Sequence, residues 1–376
     1  MDQPLDENWE LLLSLFPAGW EQQAVLLGAV ERLRGFASIR ELLRVLLLHV
    51  GKGYSLRETV VRAKQAGLAE VSDVTLLNRL RQAELWWRWL CTALLAESGW
   101  YMGVDSRGWN VRAVDGTLVK EPGRTGAQWR IHYSIRIPSL ECDHLALTPV
   151  KGHGTGEKLQ RFPAAPGDLI LADRGFCKPG GVRALHQQGA SVIVRLNSKS
   201  LPLYQAGGGA FPLLASLRKI KSTGPVREWN VWVHADQEKI AGRLCVLRKS
   251  ELAAKKAQRK ILRKAQQGGP TPKPETLEYA RYVMVFTTLP TKSFSAADVV
   301  EWYRVRWQIE LVFKRLKSLA QLGHLPKHDE RSSRAWLYGK LLVVLLGQKL
   351  MLLGRDISPW GYSIAEMQYQ QQLAAV

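Results

Sequence analysis

Across residues 1–100 the apolar positions recur every three or four residues, a helical period. "EQQAVLLGAVERLRGFASIRELLRVLLLHV" keeps one apolar side, and Ser55 and Glu58 in "SLRE" have the spacing of a capping box. "SDVTLLNRLRQAELWW" opens on a further cap. Two short helices joined by "KQAGLAEV" match a helix-turn-helix, whose second helix would offer Thr75, Asn78, Arg79 and Arg81 outward. A plain helical bundle fits the same pattern equally well.

After residue 103 the pattern changes to alternation and short apolar runs. "WNVRAVDGTLV", "AQWRIHYSIRIP" and "ECDHLALTPVKG" predict three strands punctuated by Gly and Pro. A helical stretch near "GEKLQRF" leads to a buried strand in "GDLILADRGF", and "VRALHQQGASVIVRLN" supplies a helix and another strand. A meander followed by alternating helix and strand predicts an α/β fold with a mixed sheet. Residues 196–285 change character again, with "YQAGGGAFP", strand-like "REWNVWVHA" and "GRLCVLRKS", the basic helix "LAAKKAQRKILRKAQQ" and a closing strand in "ARYVMVFTTLP". The expected organisation is a helical domain over 1–100, a core over 101–195, a basic, mainly β insertion over 196–285, the rest of the core over 286–335 and a helical segment over 336–376.

Charge narrows the class of partner. The chain carries 53 Lys and Arg against 33 Asp and Glu, a net charge of +20, which favours a polyanion. Residues 1–100 are nearly neutral, with 11 basic and 12 acidic side chains, so the excess lies beyond them, and 196–285 alone hold 17 basic and 6 acidic. The net neutrality of 1–100 weakens a DNA-binding reading of its helices, whereas the run "KKAQRKILRK" favours contact with a phosphate backbone. Cys91, Cys142, Cys177 and Cys245 form no CxxC pair or disulfide framework, which fits a reducing, cytoplasmic setting. "MDQPLDENWE" lacks the basic start and apolar run of a signal peptide. Lys340, Gln348 and Lys349 interrupt the longest apolar segment, so a buried helix is expected there and no membrane span.

Candidate chemistry gathers on carboxylates. "EWYRVRWQIELVFKRLK", residues 301–317, reads as one helix with Trp302, Val305, Ile309, Val312, Phe313, Leu316 and Leu319 in one arc. Tyr303, Arg306, Glu310 and Lys317 form a stripe along its edge. An exposed ladder of Arg306, Glu310 and Lys314 is the plain alternative, each pair contributing about 0.2–0.5 kcal/mol. Asp115 in "VRAVDGT" and Asp173 in "LILADRGF" each follow an apolar run and precede a glycine, as expected at the C-terminal end of a strand, where sites of α/β sheets collect. Three carboxylates in one place repel by about 4 kcal/mol per pair at about 4 Å and an effective dielectric near 20, so a cation must hold them. Mg²⁺ suits oxygen ligands and leaves positions for water and phosphate oxygens. "GHGTGE" from Gly152 lacks the GK[ST] of a nucleotide-hydrolysing loop and reads as an active-site loop, and His132, His144 and His153 lack metal-ligand spacing.

The spacing Tyr303, two residues, Arg306, three residues, Glu310, six residues, Lys317 resembles the Y-x2-R-x3-E-x6-K signature of a branch of DDE-type bacterial insertion-sequence transposases. "VDGT" and "DRGF" are similar to that family's first and second Asp motifs, and the resemblance covers about 103–325, with 1–100 looser. It implies a ribonuclease-H-like core interrupted before the Glu helix, and an enzyme that nicks DNA at its element's ends and joins the freed 3′-hydroxyl to a target. It further implies two Mg²⁺ ions, replaceable by Mn²⁺, on Asp115, Asp173 and Glu310, with Tyr303, Arg306, Lys317, Lys314 and Arg174 on the DNA. The implied partners are double-stranded DNA, as terminal inverted repeats and target, and a second subunit in a homodimer, in the cytoplasm at the nucleoid. Excision in this branch usually passes through a hairpin with a flipped base held by an aromatic of the insertion. Tyr282 lies nearest that location, while Trp229 and Trp232 read as packing residues. A domesticated DNA-binding protein and a structure-selective nuclease remain as alternatives.

Overall fold

The computed structural model describes residues 9–97, 108–120, 128–137, 139–152, 154–318, 320–322, 325 and 329–355. Helices come first: α1 (Trp9–Ser14), α2 (Trp20–Leu26), α3 (Ile39–Lys52), α4 (Leu56–Gln65), α5 (Asp73–Gln82) and α6 (Glu84–Glu97). Serines start three of them, Ser38 Oγ accepting from the N–H of Glu41, Ser55 from Glu58 and Ser72 from Thr75, which satisfies donors the first helical turn leaves free. At Ser55 the Glu58 carboxylate turns to Arg62 Nε at 3.1 Å. The long periodic run before residue 50 divides into α2 and α3, because Gly28 and Gly35 take φ of 72° and 79° between them, a left-handed backbone no helix continues through.

β1 (Asn110–Lys120), β2 (Gln128–Arg136) and β3 (Cys142–Pro149) form the expected antiparallel meander. β4 (Asp168–Ala172) follows a single 3₁₀ turn, Leu159–Arg161, where a helical stretch was expected near "GEKLQRF". Across α7 (Pro179–Gln187) the chain reaches β5 (Ser191–Arg195), and β4 and β5 lie parallel to β1. All five residues of β4 are buried, the continuous apolar run of a central parallel strand.

The insertion holds α8 (Leu213–Arg218), β6 (Arg227–Ala235), β7 (Glu238–Arg248), α9 (Glu251–Gln266) and α10 (Pro274–Tyr279), and leads to β8 (Tyr282–Thr287). Its strands extend the core sheet: β8 pairs antiparallel with β5, β7 with β8, and β6 with β7, giving one eight-stranded sheet in the order β3-β2-β1-β4-β5-β8-β7-β6. The basic helix α9 stands at the surface with Lys255, Lys256, Arg259, Lys260, Arg263 and Lys264 exposed.

Alternation along the strands builds two cores. One face buries Val111, Ala113, Ile131, Tyr133, Leu169, Leu171 and Ile193 against α11 (Ala296–Val305), α12 (Gln308–Ser318), α13 (Glu330–Arg355) and the N-terminal helices. The other buries Val114, Ile170, Ala172, Val192 and Val194 against Leu159, Phe162, Val182 and Leu185. α13 crosses residues 335–336 without a break, where the sequence pattern places a boundary, and it carries the N-terminal helices. A Cβ at Gly339 would stand 1.7 Å from the Trp87 ring, so only glycine lets α6 and α13 approach this closely. Arg81 pairs with Asp329 at 3.0 Å and Arg334 with Glu84 at 2.7 Å. α4 and α5 pack on each other, but α5 also packs on α13, Arg79 is buried with its guanidinium donating to the carbonyl of Arg32, and Arg81 is held by Asp329; of the four residues expected outward, Asn78 is exposed. No helix among the described residues is long and apolar enough to cross a membrane, and the four cysteines are buried and free.

Candidate active site

Strand register brings the two aspartates together. β1 and β4 are parallel, and their last pair is Val114 with Ala172, so Asp115 and Asp173 follow side by side on strands about 4.8 Å apart. Asp115 is not at the end of its own strand, as the sequence suggested, because β1 continues to Lys120 against β2. It is the parallel ladder that stops, and both side chains face the helices α11 and α12. Asp115 Oδ1 accepts from Gly116 N at 2.7 Å. Burial pushes the Asp115 carboxyl up to about 6 from 3.8, against the Gly116 N–H and the Arg306 charge, with the Glu157 and Asp173 carboxylates adding to the rise.

The 301–317 stretch is two helices, not one. At Arg306 and Trp307 the backbone tightens to three-residue bonds, Arg306 N to Tyr303 O, Trp307 N to Arg304 O, Ile309 N to Arg306 O and Glu310 N to Trp307 O, and α12 restarts at Gln308. The apolar arc still packs, with Ile309, Val312, Phe313 and Leu316 buried and Phe313 6.0 Å from the Tyr133 ring; Leu319 lies outside the described residues. The turn leaves Trp307 half exposed at the site's edge, which helical periodicity could not reveal.

The stripe meets the aspartates. Tyr303 donates its hydroxyl to Asp173 Oδ1 at 3.2 Å, and burial beside that carboxylate pushes its phenol up to about 12. Arg306 is 8% exposed, donates through Nη2 to Glu310 Oε1 at 2.6 Å and brings Nη1 to 3.9 Å from Asp115 Oδ2. Its guanidinium also lies 5.7 Å from the Tyr303 ring centroid. One cation therefore links Asp115 to Glu310, while Tyr303 ties Asp173 to the same group. Arg306 Nε and Nη1 are buried without a hydrogen-bond partner, so this arrangement leaves polar atoms open.

Among the described residues no three acidic, His or Cys side chains already converge as metal ligands. The donors nevertheless suit a hard divalent cation: partly buried carboxylate oxygens, one raised toward neutrality chiefly by burial, and a guanidinium beside them. Glu310 is more than half exposed and paired with Arg306.

Lys314 and Lys317 are exposed on α12, and Arg174 is exposed immediately after Asp173. Tyr282 does not join the site: it is 6% exposed in the second core with its hydroxyl on the Leu217 carbonyl, unable to stack on a base from there. Trp229 packs on Phe211 and Trp232 is half-buried on the edge strand β6. His132 is fully buried, bonded to Thr148, and its imidazole is pushed down to about 3 by burial, while His144 stacks edge-on to Phe162; His153 lies outside the described residues. Sequence reasoning did not single out Glu157, which is bonded to Arg130 on the opposite sheet face and lies close to Gly116 and Gly175.

Residues 151–346 match the family described as Transposase DDE domain, a stretch that holds Asp173 and all of Tyr303 to Lys317, with Asp115 ahead of it. The transposase of insertion sequence element IS421 from Escherichia coli is 33% identical over 362 residues, covering 94% of this chain and 96% of its own length. InsL of insertion sequence element IS186A from Escherichia coli (strain K12) is 33% identical over 361 residues with the same coverage. The transposase of IS231F from Bacillus thuringiensis subsp. israelensis is 25% identical over 207 residues, 51% of this chain and 43% of its own. With its two aspartates paired by the sheet, its signature stripe turned onto them and its likeness running almost end to end, the chain belongs to the insertion-sequence transposases of the DDE-domain family.

Proposed function

We propose that this DNA transposase cuts and joins DNA with Asp115, Asp173 and Glu310 as its acidic triad and Tyr303, Arg306 and Lys317 as the group that seats the scissile strand. The observation that carries this reading is the contact chain from Asp173 through Tyr303 and Arg306 to Asp115 and Glu310. The family acts on DNA with divalent cations, and Mg²⁺, as a pair replaceable by Mn²⁺, is the cofactor these carboxylates would hold. Bound there, the ions would polarise the attacking oxygen and stabilise the leaving one.

The chain's own residues set the geometry. Arg306 stands as a cation between Asp115 and Glu310, a charge that divalent ions on the triad would supply when bound, and its parallel N–H donors suit the phosphate beside the cut. Glu310, more than half exposed, has room to turn toward the aspartates. Tyr303, its hydroxyl protonated throughout the working pH range, orients Asp173. Lys314, Lys317 and Arg174 form an exposed cationic rim for the flanking phosphates. Trp307, rather than Tyr282, presents an aromatic face to an unstacked base at a hairpin end. The helical 1–100 region serves in docking to DNA ends and to a second subunit, so that a homodimer pairs the terminal inverted repeats before target DNA enters.

The test separates a transposase from a nuclease. A precut 3′-hydroxyl end carrying the inverted repeat that flanks the gene should integrate into a plasmid with Mg²⁺. Asp115→Ala and Asp173→Ala should abolish both cleavage and integration while binding the same duplex. Retained cleavage in either variant rejects the triad.

A further inference from the structure

Glu157 lies midway along the connection between β3 and β4, just before the 3₁₀ turn Leu159–Arg161, and its place has no explanation in the acidic triad alone. Oε1 accepts from Arg130 Nη1 of β2 at 2.7 Å, and the side chain is 28% exposed. The other oxygen is turned toward Gly175, where a Cβ would stand 1.9 Å from Oε2 and 3.1 Å from Cδ. A Cβ at Gly116 would meet Glu157 Cγ at 3.6 Å. Neither glycine has a left-handed φ, so what a side chain at 175 would displace is the Glu157 carboxylate and not the backbone.

Gly116 follows Asp115, and Gly175 lies two residues beyond Asp173. Gly116 pairs with His132 on the face opposite the aspartates, so Glu157 comes from the far side of the sheet into the notch where the β1–β4 ladder ends. A loop anchor would need only the ion pair with Arg130, on any open surface. Here the side chain lies beside both Asp-bearing segments, with its carboxylate against Gly175 and its Cγ near Gly116.

We propose that Glu157 is a fourth carboxylate of the catalytic centre, a positioning residue that orders water on a divalent cation at Asp115 and Asp173, with Arg130 as its clamp. This rests on the reading of the triad above. Outer carboxylates of this kind fix the orientation of the inner ligands and of bound water, and their loss costs about 10–100-fold in metal affinity.

The test is Mn²⁺ binding, followed by electron paramagnetic resonance of the free ion, to the full chain on a precut end duplex. Glu157→Gln keeps an acceptor for Arg130 and removes the charge; Gly175→Ala keeps the charge and displaces it. Both should weaken Mn²⁺ binding about tenfold and raise the Mn²⁺ concentration for half-maximal cleavage alike, with duplex affinity and circular dichroism unchanged. Asp115→Asn is the reference. If Glu157→Gln binds Mn²⁺ like the unsubstituted chain while Asp115→Asn does not, Glu157 is a loop anchor and the proposal fails. If Asp115→Asn also binds normally, or the unsubstituted chain binds none, the triad fails with it.

Discussion

Asp115→Asn should make the cation-free protein more stable while destroying its activity. The Asp115 side chain is 20% exposed, and its carboxyl is pushed from 3.8 to about 6, chiefly by burial. A group with a higher pKa in the folded chain holds its proton more tightly there. Its stabilising contribution is thus fully present below about 3.8 and lost as pH rises through about 6. At about 1.4 kcal/mol per pH unit, keeping Asp115 ionised at pH 8 costs the fold about 3 kcal/mol. Asn is nearly isosteric, keeps an acceptor for Gly116 N–H and carries no charge. Unfolding entropy of about 2.1 cal/mol/K per residue over 376 residues converts that relief into a rise of about 4 °C in Tm. The assay is paired thermal melts with a chelator at pH 8 and near pH 4, where the gap should close. Mg²⁺ should raise the melting point of the parent protein and leave that of Asp115→Asn nearly unmoved, since only the parent gains a ligand for the folded state. An Asn variant equally or less stable at pH 8 would refute the account of a carboxylate held ionised against its surroundings.

Arg306→Lys keeps a charge but cannot span Asp115 and Glu310 at once, so cleavage should fall by about 100-fold while duplex affinity, measured by gel shift, stays within about twofold. Lys317→Glu, on an exposed position, should leave the melting curve unchanged and weaken duplex binding, with the slope of log affinity against log salt shallower by about 1. Tyr282→Phe removes the hydroxyl from the Leu217 carbonyl and should cost about 1–2 kcal/mol in urea unfolding without changing hairpin yield, whereas Trp307→Ala should lower hairpin yield and barely affect stability. The reverse outcome would return the base-holding role to Tyr282.

The amino-acid order alone specified the kinds of elements and their approximate limits: the helical start, the meander, the buried run "LILA", the basic helix and the strand before the Glu helix. It also marked the candidate carboxylates, because an Asp after an apolar run with a glycine close behind and the Tyr, Arg, Glu, Lys spacing are local patterns, set by a few consecutive residues. Folding supplied what local patterns cannot. Asp115 stands beside Asp173 because Val114 pairs with Ala172 across a long loop, and no periodicity encodes that register. The insertion reads as a separate β piece, yet its strands continue the sheet, since an unpaired edge at β5 takes any strand brought to it. Arg79 and Tyr282 look outward or functional by position and are buried by neighbours distant in sequence, the Arg32 carbonyl and the Leu217 carbonyl. The break at Arg306 and Trp307 falls inside an unbroken helical pattern, set where the stripe turns onto partly buried carboxylates, and the place of Glu157 depends on the open backbone at Gly175, distant from it in sequence. Side-chain type and spacing are short-range properties, whereas burial, register and charge environment belong to the packed chain.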